Sequence, residues 1–263
     1  MLKVEMTPQL LGFKVTGDYD DLDELYDAVY MLMVDDDDFP TGDRPEGDAD
    51  EQMMSTRLLA LCYDLRKAKY GSRNVEFVHS GLYDELAEWQ GVPLVEKNVV
   101  YSVEIVYPEA MFELLALNYL IEKRRTFLYG SGQRSPYDPD RSLLDPAICA
   151  VRRYQSLLLA AVEKEATPGR FDRIRNYATT GFLPFMARMY SQWLDILDCD
   201  WANMTRKQRL ENMSTIVRDI AEHRQHPQYL EMKNDIDAFV RERGTCRENC
   251  EIPNLDWPNP LEW

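Results

Sequence analysis

Val99-Val-Tyr-Ser-Val-Glu-Ile-Val-Tyr107, running directly into Pro108-Glu-Ala-Met-Phe-Glu-Leu-Leu-Ala-Leu-Asn118, is the stretch on which the fold turns. Its first part is rich in β-branched and aromatic residues and has no turn former, which predicts a long strand. Successive strand side chains point to opposite faces, so Val99, Tyr101, Val103, Ile105 and Tyr107 share one of them. Pro108 then suits the first turn of a helix, where its missing N–H costs nothing. Met111, Leu114, Leu115, Asn118 and Ile121 recur at helical spacing, and Lys123, Arg124 and Arg125 favour the negative end of the helix dipole.

Toward the amino terminus the same period-two pattern appears twice more. Leu2, Val4 and Met6 alternate with polar residues; Thr7-Pro8 interrupts; Leu11, Phe13 and Val15 alternate again. Val75–Val78 is a fourth, shorter strand. Asp21-Leu-Asp-Glu24 reads as a capping box opening a helix with Leu22, Leu25, Val29, Leu32 and Met33 inward. A second helix spans Glu51–Lys69, with Met54, Leu58, Leu61, Cys62 and Leu65 inward, and Gly71 ends it. The predicted class is α+β: a small, mostly antiparallel sheet of about four strands with helices packed on it, followed by a helical lobe.

The expected organisation is a sheet-containing lobe over residues 1–128, a linker over 129–144, a helical lobe over 145–244 and an irregular tail over 245–263. Gly130, Gly132, Pro136 and Pro139 mark the linker. Helices are expected near 145–165, 170–180, 184–198, 205–223 and 227–243, with Thr205 and Gln208 forming a capping box. No internal repeat is visible.

The formal net charge of −16 is concentrated. Between Asp18 and Glu51 stand fifteen acidic residues and one basic residue, Arg44, while the remainder is nearly neutral. Residues 35–50, with four consecutive aspartates and interspersed proline and glycine, read as an acidic loop. Such a segment repels a nucleic-acid backbone, which argues against a nucleic-acid partner. No apolar run approaches the ~20 residues that span a bilayer. The start of the chain lacks the features of a signal peptide. Five cysteines, an odd count, suit a reducing compartment; Cys62, Cys149 and Cys199 are read as buried small hydrophobes. The cytoplasm is the expected location and no membrane is expected.

The search for chemistry excludes more than it finds. Gly130-Ser-Gly132 lacks both the lysine of a phosphate loop and the third glycine of a dinucleotide fold. His79 ends a strand but no nucleophile is paired with it, and there is no Gly-x-Ser-x-Gly elbow. An EF-hand register starting at Asp35 fails at Phe39 and Pro40. The candidates for a tetrahedral metal site are His223, His226, Cys246 and Cys250, but Pro227 and a helix separate the two pairs. They are read instead as helix-end histidines and surface thiols, with neither metal nor cofactor expected. No catalytic residue is assigned. Arg152, Arg153, Arg173 and Arg175 are the candidates for holding a phosphate, against the simpler reading of solvated helix faces. In the tail, Trp257, Leu261 and Trp263 are candidate interaction residues, because large apolar side chains on a proline-stiffened segment need a pocket.

Several stretches carry a resemblance. Thr7-Pro-Gln-Leu-Leu-Gly12 with Thr16-Gly-Asp-Tyr-Asp-Asp-Leu-Asp-Glu-Leu-Tyr-Asp-Ala28, Arg57-Leu-Leu-Ala-Leu-Cys-Tyr-Asp-Leu-Arg66, Asn98-Val-Val-Tyr-Ser102 and Asn212-Met-Ser-Thr-Ile216 resemble a family of uncharacterised bacterial proteins. The likeness covers most of residues 1–240 and leaves out the tail beyond Gly244. It implies a bacterial origin and no site. The reading that results is a non-catalytic interaction or regulatory protein that engages a protein partner or itself. The alternative is an enzyme or sensor whose helical lobe holds a phosphate-bearing ligand, a nucleotide or nucleic acid, through its arginines.

Overall fold

Gly12 is where the second strand of the chain approaches closest to the long strand that ends before Pro108. A Cβ there would lie 1.9 Å from the carbonyl oxygen of Ile105, so only glycine lets the backbones approach. Before it the chain turns tightly: the Thr7 N–H donates to the Gly12 carbonyl at 2.9 Å, and the Gly12 N–H donates to the Thr7 hydroxyl at 3.1 Å. In a computed structural model that describes residues 1–33, 49–81, 88–89, 91, 95–129, 141–180, 188–244, 250 and 255–263, this turn joins β1 (Lys3–Met6) to β2 (Gly12–Gly17).

Two further strands, β3 (Asn74–His79) and β4 (Lys97–Val106), complete an antiparallel sheet of order β1-β2-β4-β3. Register aligns Val4 with Val15 and Val103, and Met6 with Phe13 and Ile105. Directly opposed residues share a face, so these six form one apolar surface. The same face continues through Tyr101 opposite Val75 and Val99 opposite Phe77. Helix α1 (Tyr19–Met33) and α2 (Ala49–Lys69) follow the second strand. Helix α3 (Tyr107–Tyr129) starts where β4 ends.

The remaining described elements are helices: α4 (Pro146–Glu165), α5 (Pro168–Thr180), α6 (Arg188–Asn203), α7 (Arg206–Ala221) and α8 (Pro227–Arg243), with single 3-10 turns at Arg141–Leu144 and His223–Gln225. The α+β class, the antiparallel sheet and the strand positions agree with the sequence reading. One hydrophobic cluster carries residues from Leu2 to Tyr229. Helix α4 packs on α1 and β1, α3 on α6 and α7, and α2 on β4 and α6.

Several local expectations are corrected. The cap of α1 is Asp18, not Asp21: the Asp21 N–H donates to Asp18 Oδ1 at 2.9 Å and the Asp18 N–H to Asp21 Oδ2 at 3.1 Å. Three aspartates within four residues left that choice open. Tyr107 belongs to α3 rather than β4; its buried ring stacks on Trp201 at 4.8 Å and on Phe13 at 5.7 Å. Helix α3 is buried on every side from Tyr107 to Ile121, with only Glu109 and Tyr119 partly exposed, so its apolar face is not a stripe. The α6 helix (Arg188–Asn203) runs past the expected end at 198, while the expected start at 184 lies outside the described residues. Cys149 is exposed and Cys250 is buried, the reverse of their expected environments. The acidic loop lies outside the described residues apart from its last two, which open α2; most of the linker lies outside them too.

Candidate functional site

Three helices meet at Arg57. Its side chain comes from α2, Glu109 and Glu113 from α3, and Ser191, Asp195 and Asp198 from α6. The guanidinium Nε donates to Glu109 Oε1 and Oε2 at 3.1 and 2.9 Å. Nη1 donates to Asp195 Oδ1 at 2.8 Å and to the Ser191 carbonyl and hydroxyl at 3.0 Å each. Nη2 reaches Glu109 Oε2 and, at 3.2 Å, Asp198 Oδ2. Arginine has five N–H groups, and these acceptors occupy all of them. The guanidinium also lies 5.7 Å from the centre of the Phe112 ring. Burial works against its charge, but Glu109, Asp198 and Asp195 outweigh that and raise its pKa, so it stays protonated.

Burial acts on the surrounding carboxyls as well. Burial pushes Glu113 well above the usual carboxylate range, and the charge of Glu109 adds to this. The Tyr154 hydroxyl donates to Glu113 Oε2 at 3.0 Å. Burial likewise raises Asp198, helped by Glu109, and a proton on Asp198 lets the two carboxyls share a hydrogen bond. Asp198 Oδ1 has no other partner among the described residues. Nearby, the Cys62 thiol is pushed up to about 12, by burial first and then by Glu113. It is therefore a neutral thiol at physiological pH, unsuited to nucleophilic attack. With every arginine donor spent, this centre clamps α2, α3 and α6 together rather than presenting charge to a ligand.

A second place has the opposite character. A groove of ≈ 610 Å³ runs between α4 and α5, lined by Leu114, Leu159, Phe171 and Ala178 together with Arg152, Ser156, Glu163, Arg175 and Thr179. Arg152 Nη1 donates to Asn118 Oδ1 at 2.5 Å and to Gln155 Oε1 at 2.8 Å, both neutral amides. Those amides are anchored in turn: Gln155 Nε2 donates to the Leu114 carbonyl at 2.8 Å and Asn118 Nδ2 to that of Ala178 at 2.7 Å. Arg175 pairs with Asp172 at 2.8 Å. Thus two of the four arginines singled out from sequence, Arg152 and Arg175, line one groove. Arg153 and Arg173 do not; Arg153 is exposed, and its charge acts on the Met1 ammonium.

The sheet supplies a third surface. All six residues of β3 are exposed, including Phe77 at 69%. Val75 and Val99 beside it are also open to solvent. The helices expected to pack on the sheet therefore leave this end open, and no described helix covers it.

The histidine candidates lie in an aromatic cluster. The His223 ring is 4.0 Å from Tyr190 and 5.1 Å from Tyr229, and burial pulls its pKa down to about 4. His226 packs on Trp193 at 5.2 Å, with Nε2 3.6 Å from Asp219 Oδ2. The Cys250 carbonyl accepts from Gln192 Nε2 at 2.6 Å, and Cys246 is outside the described residues. Among the described residues no three histidine, cysteine or acidic side chains gather as metal ligands. In the tail, Leu261 and Trp263 pack against the core and Trp257 is 39% exposed. The Asp256 carbonyl accepts from Asn203 Nδ2 at 3.0 Å and Cys199 Sγ at 3.4 Å, which ties the tail to α6.

Sequence reasoning missed Arg57, Glu109, Glu113 and Asp198. The available signal was Glu109 and Glu113, four residues apart on an otherwise apolar helix, since an acid in such a place needs a partner.

These features define a mixed α+β protein with a buried ionic clamp, a cationic groove and an open sheet edge. The chain belongs to the family described as a domain of unknown function, DUF6904, whose model matches residues 2–263. The match extends through Trp263, so the tail that the resemblance left out is part of the family domain. No curated protein and no solved structure matches the chain. No described helix is long and apolar enough to cross a membrane.

Proposed function

We propose that the chain is a non-catalytic interaction protein that works as a self-associating unit, two copies joining along β3. The observation that carries this is the state of β3: among the described strands its backbone pairs with β4 alone, both its faces are exposed, and Val75 and Phe77 continue with Val99 one apolar face. A free edge of this kind templates a further strand.

The occupant is a second copy because β3 is complementary to itself. Antiparallel pairing about Phe77 sets Phe77 opposite its equivalent, Glu76 opposite Val78 and Val75 opposite His79. No like charges then face each other. The one acid of the strand, Glu76, is already neutralised by Lys14 at 2.5 Å. A two-fold contact of this sort is the commonest form of homo-oligomer.

Light scattering on the purified chain should give about twice the 30.8 kDa of one copy. Phe77→Lys should return the monomer without loss of fold, since that side chain makes little contact within one copy. Hydrogen exchange should protect the β3 amides in the dimer and release them in the variant. A wild-type chain that stays monomeric at its highest soluble concentration, or a Phe77→Lys variant that stays dimeric, would sink the proposal.

A further inference from the structure

We propose that the groove between α4 and α5 is a binding site for an organic anion. Arg152 anchors a phosphate or carboxylate head, and Leu114, Leu159 and Phe171 receive an apolar body. This does not depend on the reading of β3 and concerns a different face.

The geometry at Arg152 is that of a cation waiting for a counter-charge. Its only partners among the described residues are two neutral amide oxygens, both on Nη1. Nε–H and both Nη2 hydrogens remain, enough for two parallel bonds to a carboxylate or phosphate. Arg57 is the internal comparison, with five donors and three carboxylates. Partial burial lowers the Arg152 pKa against the opposing charge of Glu122, which makes no hydrogen bond to it, whereas Arg57, bonded to its carboxylates, is raised. Arg152 lies at the open side of the groove, its head held by the two amides, so a bound anion can reach its unused N–H groups from solvent.

The groove also holds the guanidinium in place. Asn118 bonds Arg152 on one side and the α5 backbone at Ala178 on the other, and Gln155 ties Arg152 to α3. A side chain oriented by two buried amides loses less entropy on binding than a free surface arginine. Arg175 lines the same groove and adds positive charge, though Asp172 shares it. Arg152 and Glu163 are three helical turns apart on α4, roughly 16 Å along the axis. The acid therefore bounds the far end, and an anionic head belongs at the Arg152 end. The volume of ≈ 610 Å³ lies within the usual range for small-molecule sites. Its apolar floor favours an aryl or alkyl body over a bare inorganic ion.

The test uses the full chain and three probes: phenyl phosphate, phenylacetate and inorganic phosphate, with benzylamine as the cationic control. Calorimetry should find an aryl anion bound more tightly than inorganic phosphate, and benzylamine not bound. Tighter phenyl phosphate assigns a phosphate head; tighter phenylacetate assigns a carboxylate. A charge-assisted hydrogen bond is worth ~1.5–3 kcal/mol, so Arg152→Gln should weaken the aryl anion roughly tenfold or more. Arg173→Gln, outside the groove, should leave binding unchanged. Should Arg152→Gln fail to fold, amide shift mapping on the wild type keeps the question open to an answer: changes must cluster at 152–163 and 171–179. No binding of either aryl anion, equal binding by Arg152→Gln, or shifts elsewhere would each overturn the proposal.

Discussion

At Arg57 the value of one residue is set by what its removal strands. Replacing it with methionine keeps much of the volume beside Phe112 but leaves Glu109 and Asp198 buried without a cation. Breaking a buried ion pair from one side costs about 3–5 kcal/mol, so Arg57→Met should lower the urea midpoint with little change in slope. His223 offers a test with a pH signature. Its folded pKa of about 4 lies below the ordinary 6.5. The unfolded chain therefore takes up a proton first as pH falls, and stability is lost between 6.5 and about 4, by up to ~3 kcal/mol. His223→Phe keeps the ring between Tyr190 and Tyr229 but cannot titrate. Stability measured across that window should fall less steeply for the variant than for the wild type. Identical slopes would show that His223 titrates alike in the folded and unfolded chain. Neither residue was legible in the sequence. Arg57 stands in a stretch that carries a resemblance but no chemistry, and a histidine at a helix end looks the same whether it faces solvent or the two tyrosine rings.

Elements were far easier to read than their partners, and α3 and α7 show why. The α7 start was visible in Thr205 and Gln208, because a capping box is local and both its bonds close within four residues: the Gln208 N–H meets the Thr205 hydroxyl at 3.4 Å, and the Gln208 side chain meets the Thr205 N–H at 2.8 Å. Thr205→Ala should cost about 1 kcal/mol, measured by denaturation, while Thr205→Ser should cost little. The course of β4 and α3 was legible for the same reason, since strand periodicity and a proline at a helix start need no tertiary information. What surrounds α3 was not. A helix buried on all sides has no stripe to betray its direction, and its neighbours α6 and α7 come from far along the chain. The groove beside Arg152 was half legible. The arginines stood out as charges, but only the α4–α5 hairpin decides that Arg152 and Arg175 line one space and that Arg153 turns away. The open face at Phe77 was misread because alternation tells which face is apolar, not whether a helix arrives to cover it.

Across the whole molecule the tail ties the two ends of the chain together. Arg209 on α7 donates to the carbonyls of Trp201, Ala202 and Gln9, joining the end of α6 to the β1–β2 turn. All three acceptors are neutral, and burial lowers the Arg209 pKa; the nearby charge acting against that is Glu262 of the tail. Leu261 and Trp263 flank Glu262 and pack on the core, with Trp263 reaching the outer side of the sheet beside Lys14 and Glu104. The tail thus contributes apolar cover and a counter-charge at one junction. Leu261→Ser with Trp263→Ser removes the cover and keeps the charge; Glu262→Gln does the reverse. Partial burial of a leucine and a tryptophan is worth about 2–3 kcal/mol, which for a chain of this size is roughly 5–10 °C in Tm. The double serine variant should show that loss at any ionic strength. Glu262→Gln should cost much less, and its effect should shrink as salt screens the exposed carboxylate. If the double variant melts with the wild type, the tail adds nothing to the folded body, and Trp263 rests on the sheet without holding it.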